Sequence, residues 1–183
     1  MTSKVFIALD VKNLLRVCKG LFGNSYRMDY DKLLKSFAAD CESGANIKAV
    51  AFVSQARRIS HADLNFTTAL VNMGYELERQ IIMPRIRLGL DIMSETDWCA
   101  GIAALATKKA ILEGFDTIIV VTGDNDYRHM CKILSDQGIK TGVYTFAYPP
   151  ALYEGCARFV RQLNKDYVYS VSKRRFEEEE DDR

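Results

Sequence analysis

Thr117 to Val121 is apolar or β-branched at every position, so neither face of the segment is marked for water. A strand of this kind must be covered on both sides, which is the situation in mainly parallel sheets with helices packed on each face. That requirement points to an α/β chain with this strand in mid-sheet. The rest of the sequence supplies the other parts, because short β-branched runs alternate with longer helical segments, many of them closed by a glycine. Val5 to Leu9 reads as the first strand and leads into a loop containing Gly20 and Gly23. Asp29 caps a helix that stops near Gly44, Ile47 to Val53 is a buried strand, and Ser60 opens a helix ended by Gly74. Tyr75 to Met83 is expected as a strand, Asp91 to Glu113 as an alanine-rich helix, Asp126 to Gln137 as a fourth helix, and Thr141 to Phe146 as a further strand. A last helix is predicted from Ala151 to Leu163, after Pro149-Pro150.

One hydrophobic core suffices for 183 residues of which 48% are hydrophobic. Residues 1–170 are expected to form a single domain. Residues 171–183 are expected to be a charged, disordered tail, because Glu177 to Asp182 is an unbroken acidic block that cannot pack. The formal net charge of +1 provides no global basic field, so any polyanion must be met by a local patch. Cys18, Cys41, Cys99, Cys131 and Cys156 lie scattered without a C-x-x-C pair, which suits reduced thiols better than disulfides or a zinc site. No apolar run reaches membrane-spanning length. The expected location is the cytoplasm, with no membrane partner and a homodimer as a reasonable assembly for so small a domain.

In an open α/β sheet, ligands bind beyond the carboxyl ends of the strands. Two such ends carry acids. Asp10 closes the first strand, with Asn13 three residues on; Asp124 and Asp126 follow the strand 117–121 at a strand-to-helix turn. Both ends are expected on one rim, and Asp91, Glu95 and Asp97 form a third acidic group. Carboxylates gathered so closely repel one another unless a cation joins them, and oxygen donors suit Mg²⁺ or Mn²⁺. Such an ion activates water and offsets charge on a phosphodiester. Simpler roles compete: Asp126 as a helix cap, Asp97 as part of a capping box with Ser94, Asn13 as a turn former. Asp10 has no capping role evident from the sequence. For nucleic acid, Arg57 and Arg58 follow the second strand and Arg79, Arg85 and Arg87 surround the third, an arrangement that holds phosphates on either side of the metal if those rims face the carboxylates. Tyr26, Tyr30, Tyr127 and Tyr148 are candidate stacking surfaces for unpaired bases.

These residues resemble the NYN domains, the branch of PIN-like metal-dependent ribonucleases that includes the LabA-like proteins. Asp10-Val11-Lys12-Asn13-Leu14 is similar to the family's D-G-x-N-[LI], and Asp91 with Asp97 six residues later is similar to V-D-x-x-x-x-x-D. Thr122-Gly123-Asp124-Asn125-Asp126-Tyr127 resembles [ST]-G-D-x-D-[FY]. The likeness spans most of residues 4 to 164. Val11 stands for the usual Gly, Leu88 for a common Lys, and Ala157 for a frequent Asp. The resemblance implies a PIN-like three-layer α/β/α sandwich with a mainly parallel central sheet. It also implies a Mg²⁺ or Mn²⁺ site built from Asp10, Asp91, Asp124 and Asp126, with Asp97 a further candidate. The implied activity is endonucleolytic hydrolysis of single-stranded RNA, with Asn13 orienting substrate or a metal-bound water. A PIN-like module that binds RNA or protein without turnover is the alternative.

Overall fold

The computed structural model describes residues 2–56, 58–82, 84–87, 90–93, 98–146 and 150–171. In chain order the elements are β1 (Lys4–Asp10), α1 (Val11–Phe22), β2 (Tyr26–Met28), α2 (Tyr30–Asp40), β3 (Asn46–Ala56), α3 (His61–Asn72) and β4 (Glu76–Ile82). Next come β5 (Pro84–Arg87), β6 (Leu90–Met93), α4 (Cys99–Glu113), β7 (Thr117–Thr122), α5 (Arg128–Asp136), β8 (Lys140–Thr145), β9 (Phe159–Gln162) and β10 (Val168–Ser170). Short 3₁₀ turns cover Pro150–Tyr153 and Lys165–Tyr167.

The main sheet runs β4-β3-β1-β7-β8-β9, and every pairing in it is parallel. β7 lies between β1 and β8 with all six residues buried, as its unbroken apolar run requires. Alternation along β1 divides the core. Val5, Ile7 and Leu9 pack with Leu14 and Cys18 of α1, Leu33 and Phe37 of α2, and Leu70 of α3. Phe6 and Ala8 face the opposite way, toward Ile102 and Ala106 of α4 and Met130 and Leu134 of α5. The result is a three-layer α/β/α sandwich of the PIN-like type.

Three elements differ from the sequence expectation. Residues 11–22 form a helix, not a loop, because Val11, Leu14 and Cys18 recur at helical spacing and are all buried. Gly20 lies on its open side, where an added Cβ would meet nothing within 4 Å, so it does not stop the helix. The helix predicted from Asp91 begins only at Cys99. Leu90–Met93 instead pairs antiparallel with Pro84–Arg87, in keeping with the apolar-polar alternation of Leu90-Asp91-Ile92. The last helix is replaced by a 3₁₀ turn, Gly155 at φ +72°, and β9, whose backbone pairs with β8. A shorter displacement affects α5, which starts at Arg128, not Asp126. The acidic block Glu177 to Asp182 lies outside the described residues.

Tyr30, Tyr75, Tyr127, Tyr144 and Tyr153 are buried, and burial is the first cause that raises each hydroxyl above its ordinary pKa. The unfolded chain ionises its tyrosines at about pH 10. A group raised in the folded state stabilises fully below that value and loses its contribution as pH rises through and beyond it. Alkaline titration is therefore expected to unfold the domain cooperatively above about pH 10, with tyrosinate absorbance from these side chains and loss of circular dichroism appearing together. Ionisation of all the tyrosines near pH 10 in a chain that stays folded would contradict this packing.

Candidate metal centre

β1 and β7 are adjacent and parallel, with Val5 to Leu9 paired to Thr117 to Val121, so Asp10 and the turn after Thr122 share one rim. Asp10 is only 1% exposed. A carboxylate there needs donors, and it has three: Asn13 N at 3.2 Å, Asn13 Nδ2 at 2.6 Å and the Tyr127 hydroxyl at 2.9 Å. The first of these makes Asp10 the N-cap of α1, a role hidden while 11–22 read as a loop. Asn13 is held in turn, because Arg16 Nη2 donates to its Oδ1 at 2.7 Å.

The turn beyond β7 is fixed by its own side chains. Asp124 N donates to Thr122 Oγ1 at 3.0 Å, and Asp124 Oδ1 accepts from Asn125 N at 2.7 Å and Asp126 N at 3.2 Å. The Tyr153 hydroxyl donates to the Asp124 carbonyl at 2.5 Å. Asp126 is exposed and does not cap α5, whose N-cap is Tyr127 without a side-chain bond. Capping therefore does not account for Asp126. Gly123 is demanded by close approach: a Cβ would stand 2.4 Å from Val17 Cγ2 and 3.2 Å from the Asn13 carbonyl oxygen. Gly123→Ala is expected to force this turn away from α1, costing about 1–3 kcal/mol and reducing metal affinity. Urea unfolding and a metal titration measure both effects, and a wild-type midpoint would contradict the contact.

Tyr127 corrects an expectation. It is 1% exposed, so no ring face is available to a nucleic-acid base, and its function is to donate to Asp10. Burial first, then the Asp10 charge, pushes its hydroxyl far above the usual range, so it remains a donor. Tyr30 is likewise buried. Tyr26 is half-buried, and Tyr148 lies outside the described residues.

Cys99, the first residue of α4, comes to this rim although no sequence pattern singled it out. Its Sγ and one carboxylate oxygen each of Asp124 and Asp126 lie within 4.8 Å of one another. Cys99 also makes a hydrogen bond with the Tyr127 hydroxyl. Oxygens bound to one Mg²⁺ at about 2.1 Å can stand no more than about 4.2 Å apart. The three donors thus fit a single divalent ion after a small closure.

The structure brings together Asp124 and Asp126, with Asp10 and Asn13 tied to them through Tyr127 and the β1–β7 pairing. Asp91 sits on β6, its backbone opposite Ile86, which puts Arg85 and Arg87 at the flanking positions of β5. Arg58 is exposed just beyond the carboxyl end of β3. Arg57 and Asp97 lie outside the described residues.

A family model of the NYN domain matches residues 4–163. This chain belongs to the NYN domain family. NYN domains are generally nucleases, so the fold is of a nuclease type and nucleic acid is the class of substrate that the family suggests. Divalent metals are usual in such enzymes, and the acidic and thiol group on the rim is where this NYN domain can hold one. Among solved structures, a protein of unknown function, VPA0982, from Vibrio parahaemolyticus RIMD 2210633 superposes with a TM-score of 0.70 at 20% identity, covering 92% of this chain and 97% of that one. That likeness establishes the fold. An isochorismatase-like hydrolase from Alkaliphilus metalliredigens overlaps at a TM-score of 0.39 and 16% identity, over 87% of this chain and 94% of its own. No curated protein matches the chain. Among the described residues, no helix of this NYN domain is long and apolar enough to cross a membrane.

Proposed function

We propose that this NYN domain is a metal-dependent endoribonuclease that hydrolyses phosphodiester bonds of single-stranded RNA in the cytoplasm. The observation that carries the reading is the convergence of Asp124, Asp126 and Cys99 on the rim where buried Asp10 ends β1. Asp124 and Asp126 would hold Mg²⁺ or Mn²⁺, with Cys99 as a third donor and Asp91 and Asp97 completing the set. When bound, the ion polarises water and offsets the charge developing on the phosphodiester.

The chain's own residues do the positioning. Asp10, held by three donors, ties the end of β1 to the residues beyond β7 through the Tyr127 hydroxyl. Asn13 presents its amide beside Asp10 and orients the scissile phosphate or the attacking water. Arg58, exposed just beyond the carboxyl end of β3, would meet a flanking phosphate, and Arg85 and Arg87 of β5 are assigned the same role. The free cysteines suit a reducing compartment.

Purified protein with Mn²⁺ or Mg²⁺ is expected to cut a single-stranded RNA oligonucleotide internally and to stop when EDTA is added. RNA binding without cleavage across Mg²⁺, Mn²⁺, Co²⁺ and Zn²⁺ would overturn this reading and favour a binding module.

A further inference from the structure

We propose that the nucleic-acid strand leaves the aspartate rim through the cavity between α1, the end of β3 and α3, its phosphates held by Lys12, Arg16 and Lys19. That the strand is a nuclease substrate rests on the function proposed above; that the cavity holds a phosphodiester backbone does not.

The cavity, of about 360 Å³, is lined by these three cations together with Val53 to Gln55 of β3 and Asp63 and Phe66 of α3. Its volume is within the range of small-ligand sites, about 300–1,000 Å³. Residues 12, 16 and 19 recur at i, i+4 and i+7, which aligns them along one face of α1 over about 10 Å of helix. Arg16 and Lys19 are exposed. Asp63 is the sole acid in the lining, and its carboxylate is engaged at the start of α3 with the Ser60 hydroxyl at 2.7 Å. Positive charge therefore prevails. Ser54 stands in the same wall with its hydroxyl buried and without a hydrogen-bond partner, a group that a phosphate oxygen would satisfy.

The cavity joins the rim by a short bonded path. Arg16 donates to Asn13, and Asn13 donates to Asp10. On its far side it continues into a second cavity of about 420 Å³ that shares Leu15, Lys19, Asp63 and Phe66. There Asp29, Asp31 and Asp63 outnumber Lys19 and Arg27. The sign of the charge changes beyond Lys19, so the phosphate track ends there.

Binding of fluorescein-labelled single-stranded RNA and DNA of one sequence to the full chain, in EDTA and over a range of salt, tests this without catalysis. A Lys12→Ala/Lys19→Ala variant, shown folded by circular dichroism, is expected to bind either strand at least tenfold more weakly at low salt. The slope of log affinity against log salt should fall by about 1.4, for two phosphates at about 0.7 each. A Lys108→Ala/Lys132→Ala control, on the opposite helical layer, should retain wild-type binding. Wild-type affinity and slope in the first variant, equal losses in the control, or no binding by the wild type would each overturn the proposal. A strand that binds with this dependence but is never cut by any metal-loaded protein leaves the track standing and refutes the nuclease reading instead. Binding of one strand type alone would show which sugar the site accepts.

Discussion

Asp124→Asn is expected to reduce metal-dependent RNA cleavage on the order of a thousandfold, equivalent to about 4 kcal/mol of lost transition-state stabilisation, with little change in stability. The asymmetry follows from what each oxygen does. Asp124 Oδ1 accepts from the backbone N–H groups of Asn125 and Asp126, and an asparagine carbonyl accepts the same two bonds, so the turn persists. What is lost is the charge that the cation requires. Removing one of the neighbouring carboxylates at this rim also relieves like-charge repulsion in the metal-free protein, so thermal stability should be held or slightly raised. Cleavage kinetics and a melting curve on the same preparation separate the two effects. A variant that cuts at the wild-type rate would remove Asp124 from the reaction.

Asp10→Ala is expected to behave in the opposite manner, with a large loss of stability. The side chain caps α1, which is worth about 1 kcal/mol. It also accepts from the Tyr127 hydroxyl and Asn13 Nδ2. Tyr127 is buried, and removing the carboxylate to which its hydroxyl donates, with Cys99 left as its partner, costs about 1–3 kcal/mol. Together these give about 2–4 kcal/mol and, for a domain of this size, a fall in Tm of about 5–15 °C. Asp10→Asn should lose less, because its one carbonyl oxygen can keep either the cap on Asn13 N or the bond from Tyr127, which fall on different oxygens of Asp10. Denaturant unfolding of the three proteins provides the order. An unchanged midpoint in Asp10→Ala would show that these bonds do not hold the rim together.

Much of this architecture is written locally. The apolar run of β7, the Asp29 cap of α2 and the capping box of Ser60 and Asp63 on α3 are determined by neighbouring residues, and each stands where the sequence puts it. The shared rim of Asp10, Asp124 and Asp126 was equally legible, since a central parallel strand and the first strand present their carboxyl ends on one side. Other features depend on distant partners. β9 is a strand because the open edge of β8 offers it backbone bonds, which outweigh a helical pattern. Cys99 lies near the acids only because α4 packs with its first turn against the turn after β7, a contact that no spacing encodes. Tyr127 is adjacent to the acidic motif in sequence, yet its pairing with Asp10 spans 117 residues. The periodicity of α1 was present in Val11, Leu14 and Cys18, and Gly20 and Gly23 concealed it.

The claim on which the account rests is that this rim holds a divalent ion through Asp124 and Asp126. Titration of Mn²⁺ into the purified protein, followed by the loss of the free-ion electron paramagnetic resonance signal, tests it most directly. Saturable binding is expected in the wild type, abolished in Asp124→Asn and in Asp126→Asn while both remain folded. Wild-type Mn²⁺ affinity in the two folded variants, or no binding in the wild type, would contradict it.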